Sequence, residues 1–169
     1  AAGALTWMAC EWTKFGRPSA LGAVTGMVAG LGTITPASGY VGPGGALVIG
    51  ILAGFVCYHA TVFLKQRLKV DDSLDVFPVH GVGGALGTLL AAVFASAGLG
   101  VFSGQGLAEG MTIASQFQVQ LIGVLASGVY TAIVTFVLLK LIDRMLGLRV
   151  SQDEETEGLD LTQHNERGY

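Results

Sequence analysis

Asp71–Ala95 reads DDSLDVFPVHGVGGALGTLLAAVFA, and this stretch decides the class of the fold. Its charges are gathered at the front. From Val76 to Ala97 the chain has no Asp, Glu, Lys or Arg. As a helix that run is roughly 33 Å long, enough to cross the hydrocarbon core of a bilayer. His80 lies inside it. An ionisable group in a spanning helix is costly to keep there, so it marks a functional site unless another helix satisfies it. Imidazole, with an unperturbed pKa of about 6.5, is the side chain most readily moved between charged and neutral forms at cellular pH. A neutral histidine hydrogen-bonded to a neighbouring helix is the alternative reading at equal weight.

Composition says the same of the whole chain. Of its 169 residues, 51% are hydrophobic and 12% charged, where soluble domains carry about 25% charge. Glycine accounts for 26 positions, about twice the usual share. Apolar, glycine-rich and charge-poor chains form helical membrane bundles, in which small residues let backbones approach. The fold class expected is therefore all-α, a polytopic transmembrane helix bundle. A net charge of −3 gives no basis for a nucleic-acid partner. Cys10 and Cys57 fall in different apolar runs without metal spacing and read as reduced packing residues.

Working outward, the spans fall at about 1–12 (partial), 19–35, 44–64, 76–97 and 111–142, giving a transmembrane region 1–143 and a polar tail 144–169. The first residues, AAGALTWMACEW, lack an initiator Met and a basic leader. They make only about 18 Å of helix and read as the end of a helix that begins outside the chain. The last span is too long for a perpendicular crossing, so strong tilt or projection into water is expected. Gln116, Gln118 and Gln120 at its outer end and Lys140 at its inner end fit projection and snorkelling.

Orientation follows from the basic residues. Lys14 and Arg17 lie in the first connection, and Lys65, Arg67 and Lys69 in the third. Lys140, Arg144, Arg149 and Arg167 lie at or after the last helix. The other two connections hold only Glu109. The positive-inside rule makes the basic side cytoplasmic, with TPASGYVGPG outside and the C-terminal tail inside. The expected location is the cell (inner) membrane, crossed several times. Gly22, Gly26 and Gly30 form overlapping GxxxG steps, and Gly50/Gly54 and Gly83/Gly87 repeat the spacing, a helix-packing signal.

Asp75 precedes the His80 helix as an expected N-cap, and Pro78 is tolerated in the first turn, where the N–H has no helical partner. Gly81, Gly83, Gly84 and Gly87 permit close neighbours. His59 lies near the inner end of its span and reads as interfacial or packing, and His164 as solvated. There is no HExxH, no P-loop and no GxSxG, so no metal, cofactor or enzymatic activity is expected. Pro36 and Gly39 stop a helix, and Thr35 beside them reads as a turn residue before a pore residue. Asp153, Glu154, Glu155 and Glu157 read as a solvated, mobile run, with ordering on a cytoplasmic partner as the alternative.

Three segments, DDSLDVFPVHGVGG (Asp71–Gly84), ITPASGYVGPGGALVIG (Ile34–Gly50) and the tail Gly147–Tyr169, resemble in register the ammonium transporters of the Amt/Mep/Rh family, in particular the bacterial Amt branch. The resemblance covers essentially the whole chain. It implies an eleven-helix protomer in a homotrimer, with an apolar pore through each protomer. This chain is similar to the C-terminal portion, from the end of helix seven to helix eleven and the cytoplasmic tail. It implies that His80 is the second member of a hydrogen-bonded pore histidine pair and that Val76, one turn below, lines the inner exit. The first pore histidine and the outer ammonium-binding site are implied to lie on helices outside this chain. Ammonium or ammonia is the implied substrate, no cofactor is implied, and a PII-type signal protein is the implied regulatory partner of the tail. A sensor with little flux, and a scaffold completed by other helices, are the competing readings.

Overall fold

The computed structural model describes residues 1–167 and is all-helical over them. The chain divides into two compact units, 1–124 and 125–169. In the first unit, α1 (Ala2–Phe15) and α2 (Ala20–Ile34) are followed by α3 (Pro43–Val62) and α4 (Gly83–Phe94). α3 continues through a π-helical turn, Phe63–Leu68, and α4 is preceded by another, Phe77–Val82. α5 (Ile113–Met145) is one continuous helix of 33 residues. Four segments are long and apolar enough to cross a membrane: Ala20–Ala37, Pro43–Leu68, Phe77–Phe94 and Ile113–Met145. The chain is that of a multi-pass membrane protein.

Glycine faces hold the first unit together. A Cβ on Gly3 of α1 would lie 2.5 Å from the Gly26 carbonyl oxygen and 3.0 Å from Gly30 Cα, so α1 and α2 meet backbone to backbone. On α3, Gly54 receives Gly3 and Thr6 of α1 in the same way. α4 uses Gly83 and Gly87 against Thr33 of α2, where a Cβ on Gly87 would run into the Thr33 carbonyl. In lipid no hydrophobic force draws apolar helices together, so such contacts and the dispersion they collect carry association. Larger side chains fill in around them. Trp7 of α1 meets Tyr58 of α3 edge to face at 5.4 Å, in a cluster with Ala29, Cys57 and Val79.

Polar links fix the helix ends. Ser19 caps α2, its Oγ accepting the Gly22 N–H at 2.8 Å. Glu11 of α1 in turn accepts the Ser19 N–H at 2.7 Å and its hydroxyl at 3.1 Å. α1 and α3 run toward the same end, since Gly50 and Gly54 lie against Ala2–Thr6 and Tyr58 against Trp7. Lys14 and Arg17 therefore share an end of the bundle with Lys65. The connections at the opposite end are stitched by backbone bonds, Gln105 N–H to the Tyr40 carbonyl and Gly106 N–H to that of Ala95.

In the second unit the acidic run is largely exposed to solvent, as expected, but it is not irregular. It forms a short helix, α6 (Gln152–Glu157), followed by α7 (Leu159–Thr162). A capping box explains the difference: Ser151 Oγ accepts the Glu154 N–H, and the Glu154 carboxylate accepts the Ser151 N–H at 3.0 Å. Those bonds hold the Glu154 carboxyl below its usual range. The box is therefore formed at neutral pH and is lost as the pH falls through that lowered value. Arg149 reaches Glu155 at 2.8 Å.

The α2–α4 contact yields a stability test. Gly87→Ala must overpack the Thr33 carbonyl and is expected to cost about 1–3 kcal/mol, read as a lower unfolding temperature in detergent. Gly123→Ala, where a Cβ meets nothing within 4 Å, should leave that temperature unchanged or raise it.

Candidate functional site

The π turn Phe77–Val82 and α4 form one continuous helix with two distinct stripes. Val79, Gly83, Gly87 and Ala91 are buried. The neighbouring stripe, at the same four-residue step, is Val76, His80 and Gly84, with Val76 and His80 exposed. Residues four apart share a helix face, so packing of the first stripe aims the second outward. His80 and Val76 lie one turn apart on this open stripe. Among the described residues nothing donates to or accepts from the His80 ring. The exposed imidazole beside bare backbone is the chief chemical feature of this face, and an imidazole both accepts and donates hydrogen bonds. The α2 residue beside it is Gly32, where a Cβ would lie 3.7 Å from His80 Nδ1.

The start of this helix corrects the sequence expectation. Asp75 does not cap it with its side chain. Asp72 does, accepting the N–H of Val76 on Oδ1 and that of Phe77 on Oδ2, both at 2.9 Å. The chain doubles back between them, and Asp75 adopts a left-handed conformation with φ 57°, which aspartate tolerates better than most residues. That turn directs the Asp75 carboxylate to Lys65, 2.7 Å away on the π turn that extends α3. The ion pair ties two helix ends together and, being partly solvated, adds up to about 1 kcal/mol. Anionic Asp72 at a helix N-terminus is also favoured by the helix dipole. Pro78, third in the helix, sacrifices no helical hydrogen bond.

The four glycines after His80 divide. Gly83 and Gly87 take close neighbours, Gly81 lies against Phe77 of its own helix, and a Cβ on Gly84 would meet nothing within 4 Å. His59 is exposed on α3, its Nδ1–H donating to the Phe55 carbonyl at 2.9 Å and its ring against Phe55 at 4.3 Å. His164 is exposed in the tail. Thr35 spends its hydroxyl on the Leu31 carbonyl at 2.7 Å. Among the described residues no three His, Cys, Asp or Glu side chains gather into a metal site. A cleft of about 330 Å³ lies at the end away from Lys65, lined by Pro36, Tyr40, Ala91, Ala95, Gln116 and Gln120 among others, and does not include His80.

Sequence reading missed three residues here. Asp72 was hidden by having Asp75 in the same loop. Lys65 carried a signal in its opposite charge ten positions before Asp75. Gly32 lies outside the Gly22/Gly26/Gly30 register, which was its only mark.

A sequence model of the Ammonium Transporter Family matches residues 1–169. A putative ammonium transporter of Methanothermobacter thermautotrophicus is 45% identical over 170 residues, which cover 100% of this chain and 41% of that protein. The ammonium transporter of Bacillus subtilis is 41% identical over 169 residues, again 100% of this chain and 41% of its own length. Among solved structures, a protein described as Sensor Amt Protein superposes with a TM-score of 0.84 at 29% identity, over 96% of this chain and 38% of its own. Saccharomyces cerevisiae Mep2 gives 0.76 at 36% identity, over 90% and 35%. The chain thus spans about two-fifths of the length of the relatives it matches.

The cap assignment is testable by hydrogen exchange. Asp72→Ala is expected to cost about 1 kcal/mol of local helix stability and to speed exchange at Val76 and Phe77. Asp75→Asn should leave those two amides protected. The reverse pattern would return the cap to Asp75.

Proposed function

The chain belongs to the ammonium transporter family, and on that premise we propose that it forms the C-terminal part of a channel that moves ammonium across the cell membrane as ammonia through an apolar pore. The relatives are transporters, not enzymes. The observation that carries the reading is the open stripe: His80 and Val76 one turn apart on a spanning helix whose adjacent stripe is locked into its neighbours. His80 is then one of a pair of pore histidines, completed by a histidine on a helix outside this chain, and Val76 lines the inner exit.

The chemistry follows from desolvation. Ammonium and potassium have similar size and equal charge, so a charged ring would admit both. A dry pore penalises every ion. Ammonium gives up a proton and proceeds as ammonia, whereas potassium has no such route. A neutral imidazole pair accepts from and donates to ammonia and relays the proton. Asp75, paired with Lys65 at the base of the same helix, keeps its negative charge compensated close to the exit.

The protomer is proposed to assemble as a homotrimer in the inner membrane. Its basic end, with Lys14, Arg17 and Lys65, faces the cytoplasm by the positive-inside rule, as does the tail 144–169. A PII-type signal protein is proposed to dock at this cytoplasmic face with help from the tail. A sensor role is the second reading, favoured by the Sensor Amt Protein among the structural neighbours.

The test is flux through the intact transporter in liposomes under an inward ammonium gradient, with internal pH and current recorded together. His80→Ala is expected to lose at least about tenfold in selective flux, the scale of one lost transition-state hydrogen bond. Unchanged selective flux would remove His80 from the pathway, and an assembled but non-conducting wild type would favour the sensor. Deleting residues 151–169 should weaken PII binding, measured by titration against vesicle-embedded protein. Equal affinity would sink the docking role.

A further inference from the structure

We propose that a buried water molecule joins α3 to α1 at the basic end of the bundle, hydrogen-bonded to the Tyr58 and Thr61 hydroxyls and to the Glu11 carboxylate. The site stands apart from the His80 face and is independent of the role of that face.

Its first mark is a pair of enclosed hydroxyls. Tyr58 is 5% exposed and Thr61 9%, and both oxygens are sealed inside the bundle. Among the described residues neither oxygen has a hydrogen-bond partner. This chain's own atoms cover them, so no helix outside the chain can reach them. A hydroxyl left bare in a dry interior is costly, so its partner has to be enclosed with it. Other helical threonines satisfy themselves: Thr13, Thr35 and Thr88 donate to the Cys10, Leu31 and Gly84 carbonyls at 2.9, 2.7 and 2.8 Å. Thr61 makes no such bond to its own helix. Residues three apart share a helix face, so Thr61 lies on the Tyr58 face of α3.

The second mark is a charge. Tyr58 packs edge to face on Trp7 of α1, and Glu11, one turn further along α1, acts electrostatically on the Tyr58 hydroxyl. No direct hydrogen bond joins the two among the described residues, and polar groups that face each other without one are commonly bridged by water. Glu11 accepts from Ser19 on both oxygens, but a carboxylate has about four acceptor sites and can take a further bond. Two hydroxyls and a carboxylate supply the roughly three partners of a typical buried water. Thr33 is the contrast. Its hydroxyl is also enclosed and unpartnered, but a Cβ on Gly83 would lie 2.7 Å from that oxygen and 3.2 Å from Cys57 Sγ, so backbone and thiol fill the space. The water has a structural consequence. Glu11 holds Ser19 at the start of α2, and α3 runs on from Thr61 to Lys65, the partner of Asp75. The water therefore ties the end of α3 that anchors the His80 helix to the α1–α2 corner.

The experiment uses the intact transporter in bilayers, with ¹³C-labelled tyrosine and threonine and magnetisation transferred from water protons. Tyr58 and Thr61 are expected to receive it, and Thr33 to stay dark. The unfolding temperature in detergent gives a second readout. With the water in place, Tyr58→Phe and Thr61→Val each lower that temperature. Their combined loss is less than the sum, because the two hydroxyls share one water. A hydroxyl without any partner gives the opposite sign: its removal leaves the temperature unchanged or raises it. Tyr58 and Thr61 as dark as Thr33, or both variants at least as stable as wild type, would overturn the proposal. Strictly additive losses would overturn the shared water.

Discussion

The structure of the first unit depends on one contact, the approach of the α4 backbone to Thr33 of α2. Gly87 leaves no room for a Cβ against the Thr33 carbonyl, and Gly83 leaves little against the Thr33 hydroxyl and the Cys57 thiol. Thr33 and Cys57 are fully buried there, so three helices converge on one point. In water such a junction would be driven by apolar burial. In a bilayer the lipid tails are as apolar as the side chains, and the gain must come from close packing. The same contact fixes the rotation of the helix about its axis. With Val79, Gly83, Gly87 and Ala91 committed inward, the adjacent stripe has to face outward, and His80 with it.

The N-terminal end of that helix is set by charge. Asp72 satisfies two of the first N–H groups, and the left-handed turn at Asp75 sends the second carboxylate sideways to Lys65. Lys65 lies within the π turn Phe63–Leu68, and Asp75 stands just before the π turn Phe77–Val82. Such turns are uncommon and are frequent at functional sites. Here the pair joins the two ends, so the helix carrying His80 is anchored at its base as well as along its buried stripe.

Much of this was legible beforehand, for identifiable reasons. The spans follow from runs without charge, and the GxxxG pairs 22/26, 50/54 and 83/87 do pack helices. The orientation signal survives folding, since Lys14, Arg17 and Lys65 share an end. What escaped depends on backbone geometry that composition does not carry. Two aspartates three apart are equally good caps on paper, and only the positive φ at Asp75 decides between them. Gly83 and Gly84 are likewise equivalent in a motif, but one residue of helical phase makes the first a contact and the second open space. The helix in the acidic tail went unread because its charges were counted without the Ser151–Glu154 box that caps it.

On the proposed reading, selectivity is a property of a fixed wall more than of a moving gate. A helix held by backbone contact on one stripe has little freedom to rotate or slide, because a small displacement brings the Gly87 backbone into the Thr33 carbonyl. That rigidity suits the chemistry. Discriminating ammonium from potassium requires an environment in which the ion is penalised and the neutral molecule accepted, and such an environment works best when its hydrogen-bonding groups are already in place before the substrate arrives. The glycines therefore serve two ends. They supply the close packing that makes the bundle stable in lipid, and by leaving no slack they keep an imidazole where a desolvated molecule can exchange one hydrogen bond for another.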